Sequence, residues 1–190
     1  RVSKTASVFD PKKLEWMNGH YIRNSDLERI AELCIPYLIG AGLLERRPEG
    51  RDFAKLLAVV GLLQERMRTV ADVVALGDFF FREEIEYDPE AVQKFFSKPE
   101  VKDIFRGLRE RLAAVEPFVA EEVEKVVRSF AAELGLKAGE VIHPARVALT
   151  GRAVSPGLFQ VIEILGREVT CKRLERAIQH LEDFLGLRRI

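Results

Sequence analysis

Apolar residues recur along most of this chain at three- and four-residue intervals, and no stretch alternates apolar and polar positions long enough to make a strand. That period belongs to helices packed by one face, so the pattern predicts an all-α fold. Residues 12–22 make a first helix. Ser25 and Asp26 sit where a second begins, with Leu27, Ile30, Ala31, Leu33 and Cys34 facing inward and the end placed before Pro36. A third starts at Arg51 or Asp52. Its Phe53, Leu56, Leu57, Val60 and Leu63 leave it apolar nearly all round, which marks it as central to the core. Thr69 caps a short helix over 70–76 that Gly77 closes.

Residues 78–88, three phenylalanines followed by acids, interrupt the period and mark a boundary between two helical subdomains, 1–86 and 87–190. Phe79, Phe80 and Phe81 also read as a base-stacking platform, although the acids that follow favour a packed junction. Beyond it, Asp88-Pro89-Glu90 opens a helix to Phe96, and Lys98-Pro99-Glu100 opens another to about Val115. Pro117 separates that one from a helix over 118–134, ended by Gly135. A helix over 137–149 then leads into ALTGRAVSPGLF at 148–159. Gly151 stands where a helix needs a left-handed residue to stop, and Ser155 followed by Pro156 reads as the N-cap and first turn of the next. That helix carries Leu158, Val161, Ile162 and Leu165 as its stripe until Gly166. The last helix has Leu174, Ala177, Ile178, Leu181, Phe184 and Leu185 at helical spacing. Residues 152–154 have little reason to be buried, and N–H groups at a helix start attract polar or anionic groups. The loop is therefore a candidate contact surface, although the same spacing describes a plain corner of a helical domain.

A hydrophobic content of 47% over 190 residues is ample for a packed core. The apolar run 53–63 is interrupted by Lys55 and is too short for a membrane span. No secretory leader pattern opens the chain, and Cys34 and Cys171 have neither CxxC nor metal-ligand spacing, so a reducing cytoplasm is expected. The first residue is Arg1, not methionine, which suggests a fragment. Net charge is zero, yet residues 137–190 hold nine Lys and Arg against six acids, an excess of +3. This bias suits an RNA footprint and equally a solvated helical face. His20, His143 and His180 are scattered, no nucleophile has a base nearby, and neither GxxxxGK[ST] nor GxGxxG occurs. No catalytic, cofactor or metal-binding residue is assigned.

Residues 148–178, ALTGRAVSPGLFQVIEILGREVTCKRLERAI, are similar to the C-terminal signature of bacterial glutamyl-tRNA synthetases. In that family a Leu-Thr-Gly loop and a Ser/Thr-Pro-Gly-Leu helix start precede a Leu-Gly-basic turn and an Arg-Leu-x-x-Ala final helix. Residues 8–23, VFDPKKLEWMNGHYIR, resemble the Phe-Asp-x-x-Lys-Leu-x-Trp-Met-Asn-Gly-x-Tyr-Ile segment that leads into the same enzymes' anticodon-binding half. Residues 64–70, QERMRTV, resemble the Arg-x-x-Thr-Leu segment, with Val70 in the leucine position. Residues 77–135 resemble the family only in helical pattern.

The resemblance implies a multihelical anticodon-binding region of two subdomains, of the α-helix cage type. The first carries Arg66 and links to a catalytic part that is not in this chain. It further implies a parent that is an ATP-dependent glutamate–tRNA ligase, with ATP and Mg held in the missing part and this chain alone non-catalytic. The implied partner is the anticodon loop of glutamate tRNA, with no DNA and no membrane, and the implied state a cytoplasmic monomer. The ATP motifs of class I synthetases are absent here, and Val2-Ser3-Lys4 resembles one of them only superficially.

By the resemblance, Arg66 reads the third anticodon base and Arg146 another, Ser155 lies at the helix start that meets the RNA, and Leu158 packs against a base. Arg152 joins them from its place in the loop. Arginine suits such work because its rigid fork of donors matches base acceptors or phosphate and its plane stacks on a base. Each has a competing structural reading: Arg66 pairing with Glu65 or Asp72, Arg146 with Glu140, Leu158 as core. Glutamate and glutamine anticodons differ at the third base, cytosine against guanine, and the family's arginine there goes with refusing the glutamine tRNA. A reading from a different class is a helical protein-interaction module on the same fold without RNA binding. Steep salt dependence of tRNA affinity separates the two.

Overall fold

The computed structural model describes residues 10–98 and 100–184, with side chains to residue 183. Several expectations lie outside them: the Val2-Ser3-Lys4 stretch, Pro99, the Phe184 side chain, Leu185, and Arg188 and Arg189 of the basic excess. Among the described residues there are nine α-helices and no strand. The chain divides into two compact units between Asp78 and Phe79.

In the first unit, helix α1 (Pro11–Arg23) starts where local chemistry dictates. The Asp10 carboxylate accepts from the Lys12 and Lys13 N–H groups at 3.0 and 3.3 Å, and Pro11 fills a first-turn position that needs no N–H partner. Helices α2 (Leu27–Gly40) and α3 (Gly50–Leu63) form the core, with Ile30, Ala31, Cys34, Ile35 and Leu38 buried on one and Leu56, Val59, Val60 and Leu63 on the other. Each of the valine, leucine and isoleucine side chains contributes about 1.5–3 kcal/mol of burial free energy. That burial explains a departure from expectation, because α2 does not stop before Pro36. Pro36 is exposed, while Ile35 and Leu38 on the inner face hold the helix together to Gly40.

A 3-10 turn (Gln64–Arg66) follows α3 directly. The short helix expected over 70–76 is α4 (Asp72–Gly77), and its cap is reversed. The Thr69 hydroxyl donates to Asp72 at 2.9 Å, and the Asp72 carboxylate accepts from the N–H groups of Arg68 and Thr69 at 2.7 and 3.0 Å.

The second unit holds α5 (Pro89–Phe95), α6 (Glu100–Ala113), α7 (Ala120–Glu133), α8 (Ala138–Thr150) and α9 (Leu158–Phe184). The last is two helices joined at Gly166, whose φ of 77° and ψ of 165° break the helical path where the sequence places a stop. Helices α6, α7 and α8 all pack on α9. Val101, Ile104, Phe105, Leu108 and Leu112 of α6 and Leu174, Ala177, Ile178 and Leu181 of α9 are buried at helical spacing. Residues 79–86, expected in the first subdomain, lie in the second unit. Arg173 of α9 takes the carbonyls of Phe79 and Arg82, and Lys172 pairs with Glu83 at 2.5 Å. Phe79 and Phe80 are each 2% exposed, so their rings serve this core and offer no stacking platform. Cys34 and Cys171 are both free thiols.

Candidate functional site

The structure gathers four of the five expected contact residues, Arg146, Arg152, Ser155 and Leu158, around the segment joining α8 to α9, while Arg66 belongs to the first unit. The segment starts as its sequence requires. Gly151 has a φ of 76°, its N–H donates to Val147 at 2.8 Å, and this left-handed residue ends α8. No other residue fits: a β-carbon there would lie inside hard contact with the Glu86 carbonyl oxygen and 3.2 Å from its carbon. The Gly151 carbonyl accepts from the Asp88 N–H at 2.8 Å. Thr150, 2% exposed, donates its hydroxyl to the Arg146 carbonyl at 2.8 Å and accepts from the Arg152 N–H at 3.3 Å.

Arg146 projects from the last turns of α8 and is half-buried. Its Nη1 donates to the Ser155 hydroxyl at 2.5 Å and the Pro156 carbonyl at 2.7 Å, with the Ser155 carbonyl at 3.4 Å. This grip explains why the second cap differs from expectation. Ser155 and Pro156 do not serve as N-cap and first turn, since α9 begins at Leu158 with the Val161 N–H donating to the Gly157 carbonyl at 3.0 Å. Arg146 holds 155–156 as part of the loop and delays the helix by about two residues. The Ser155 hydroxyl accepts from the guanidinium and donates to Pro156 at 3.0 Å.

Arg152 is half-buried, its guanidinium carbon 5.9 Å from the centroid of the Phe79 ring. Val154 is 79% exposed, the most open large hydrophobic among the described residues, whereas Leu158 is 2% exposed and packs inward with Val161 and Ile162. Arg66 is exposed on its 3-10 turn. That turn is fixed by Gln64, whose amide donates to the carbonyls of Ile22 and Ser25 at 2.8 and 3.0 Å and ties Arg66's neighbourhood to the α1–α2 corner.

Arg173 is the arginine of the Arg-Leu-x-x-Ala stretch at 173–177, yet sequence reasoning gave it no role in the site. It is 2% exposed, and its guanidinium donates to the carbonyls of Leu149 at 2.6 Å, Phe79 at 2.6 Å and Arg82 at 2.8 Å. The signal was present in the spacing: Thr170, Arg173, Leu174 and Ala177 fall on one helical face, and all four are buried. An arginine on an apolar stripe calls for a buried set of acceptors. Nearby, burial pushes the Tyr87 hydroxyl up to about 12, against the pull of the Arg173 and Arg176 charges. No group of His, Cys, Asp and Glu among the described residues is arranged to hold a metal, and no described helix is long and apolar enough to cross a membrane.

Residues 29–178 match a family described as Anticodon binding domain. The chain is similar to a glutamate–tRNA ligase of Moorella thermoacetica, 37% identical over 186 residues, covering 98% of this chain and 38% of that protein. A glutamate–tRNA ligase of Citrifermentans bemidjiense is 42% identical over 182 residues, with 95% and 38% covered. The chain thus spans 38% of the length of these curated relatives. Among solved structures, a glutamate tRNA ligase from Elizabethkingia meningosepticum superposes with a TM-score of 0.84 at 28% identity, over 95% of this chain and 34% of that one.

Proposed function

For a chain that belongs to the anticodon binding domain family, we propose that it reads the anticodon loop of glutamate tRNA as one part of a longer glutamate–tRNA ligase. The parent joins glutamate to its tRNA using ATP. ATP and Mg are held by the part outside this chain, which carries neither phosphate-loop motif. The whole is a monomer of the cytoplasm.

One observation carries the assignment of the site: Arg146 grips Ser155 and Pro156, so the guanidinium and the loop it belongs to form one rigid piece. A guanidinium fixed in advance loses little entropy when it meets a base edge or phosphate. Arg152, beside Phe79, and Ser155 flank it on the same loop, and Leu158 packs beneath as the apolar support of the surface. In this proposal Arg66 reads the third anticodon base from its own unit and favours cytosine over guanine.

The test is binding of the chain to glutamate tRNA and to the same tRNA with the third anticodon base changed to guanine. Arg66→Gln is expected to erase the preference for cytosine, and Arg146→Ala to weaken binding to both by about 1–3 kcal/mol. Equal affinity for both tRNAs, unaffected by either substitution, removes the site. A second reading, docking of a protein partner, has its own observation in the exposed side chains of α1, with Trp16 and Tyr21 each 65% exposed. Binding that ignores salt would favour it, since counterion release weakens RNA binding steeply as salt rises.

A further inference from the structure

Arg173 stands on the buried stripe of α9, where a leucine or methionine would fill the space without placing a cation out of water. What the arginine adds is direction. Its Nη1 bonds the carbonyl of Leu149, one of the last carbonyls of α8, which no helical N–H can reach. Its Nη2 bonds the carbonyls of Phe79 and Arg82 in the segment that leads to α5. One rigid fork therefore sets the distance between the end of α8 and residues 79–82.

The loop that presents Arg146, Arg152 and Ser155 hangs between those two places. It leaves α8 one residue after Leu149, its Gly151 carbonyl is bonded to the Asp88 N–H, and its Arg152 lies over the Phe79 ring. Lys172 and Arg176, on either side of Arg173, hold Glu83 and Glu84 of the same segment at exposed ion pairs, which contribute little. Arg173 does so from the interior.

We propose that Arg173 is the positioning residue of the RNA-reading loop: a buried guanidinium that holds the 150–157 segment in register against 79–88 without touching RNA itself. The proposal rests on the anticodon-reading function given above. It makes Arg173 unlike Arg146 or Arg152 in two ways. Its removal weakens binding through misplacement of other groups, and it leaves the salt slope alone because a buried cation displaces no phosphate counterion.

The test uses the 190-residue chain with Arg173→Gln and Arg173→Lys, both checked for helical content by circular dichroism. Amide exchange is read first, because it needs no RNA. Loosening is expected at Gly151 and Asp88 with the α6 and α7 amides protected as in the parent. Binding to the two tRNAs is then measured across a salt series. The folded Arg173→Gln chain is expected to lose about tenfold in affinity for both tRNAs, at an unchanged salt slope. Arg173→Lys, which keeps the charge but cannot span both sides, falls between. Parental exchange at Gly151 and Asp88, or parental affinity in a folded variant, overturns the positioning role. If Arg173→Gln fails to fold, the same readouts on Arg173→Lys decide. If the unsubstituted chain shows no preference between the tRNAs, the anticodon-reading function falls, while exchange still judges whether Arg173 holds the loop.

Discussion

Replacing Gly151 by alanine should be among the most damaging single-methyl additions in the second unit, and its cost can be assembled from the structure. A left-handed φ of 76° costs an L-residue about 1–2 kcal/mol. The new methyl would drive into the Glu86 carbonyl, a backbone atom that cannot swing aside, adding about 1–3 kcal/mol of overpacking. Relieving the clash separates 86–88 from the loop and stretches the 2.8 Å bond from Asp88 to Gly151, a further loss of about 0.5–1.5 kcal/mol. The sum is about 2.5–6.5 kcal/mol. Gly135 supplies the control: its φ is 69°, yet nothing lies within 4 Å of where a β-carbon would stand. Gly135→Ala should therefore cost the backbone part alone, about 1–2 kcal/mol.

Urea unfolding followed by circular dichroism measures both in the same chain. The single tryptophan, Trp16, lies in the first unit, so its fluorescence shows whether the loss is confined to the second. If Gly151→Ala costs no more than Gly135→Ala, the backbone of 86–88 yields freely, and the description of the loop as rigidly seated against that segment is wrong.

Three more outcomes are expected. Gly107 lets α6 approach α7 with the Phe130 ring against it, a β-carbon falling 2.9 Å from Cε2, so Gly107→Ala should cost about 1–3 kcal/mol in urea titration and Phe130→Leu should recover part of it. Burial pushes the Asp72 carboxyl up, but the N–H groups of Thr69 and Arg68, the Thr69 hydroxyl and the Arg68 charge outweigh it and hold the carboxyl below its ordinary range. That stabilisation is present above the ordinary carboxylate pKa and lost as pH falls through the lowered one. Asp72→Asn should cost about 1 kcal/mol near neutrality and flatten the acid limb below about pH 4; an unchanged limb refutes it. Burial pushes the Cys34 thiol up to about 12 and leaves it 0% exposed, so iodoacetamide at pH 8 should label half-buried Cys171 first and reach Cys34 only as the first unit opens. Equal native labelling rates would contradict the packing of α2 on α3.

What the sequence disclosed and what it hid divide along a physical line. Gly135 and Gly151 after α7 and α8 and the break at Gly166 were all legible, because each answers a demand made by the few residues around it. Pro36 and Ser155-Pro156 misled for one shared reason: residues outside each motif decide what it does. The inner face of α2 overrides the proline at Pro36, and Arg146, nine positions back, converts a helix start into a held loop. The candidate site shows the same division. Its loop, with Arg152, could be found from glycine and proline punctuation, and Arg146 from resemblance. Arg173 could be noticed on its apolar stripe but its partners could not be named, since its acceptors at Phe79 and Arg82 are more than ninety residues away and become neighbours only when α9 packs. A buried charge is the place where local rules and the final structure must disagree, because no local pattern favours it. It persists here because three carbonyls, each costly to leave unpaired, share one guanidinium. The buried cation that the helical stripe argues against is the group that ties the candidate loop to the core.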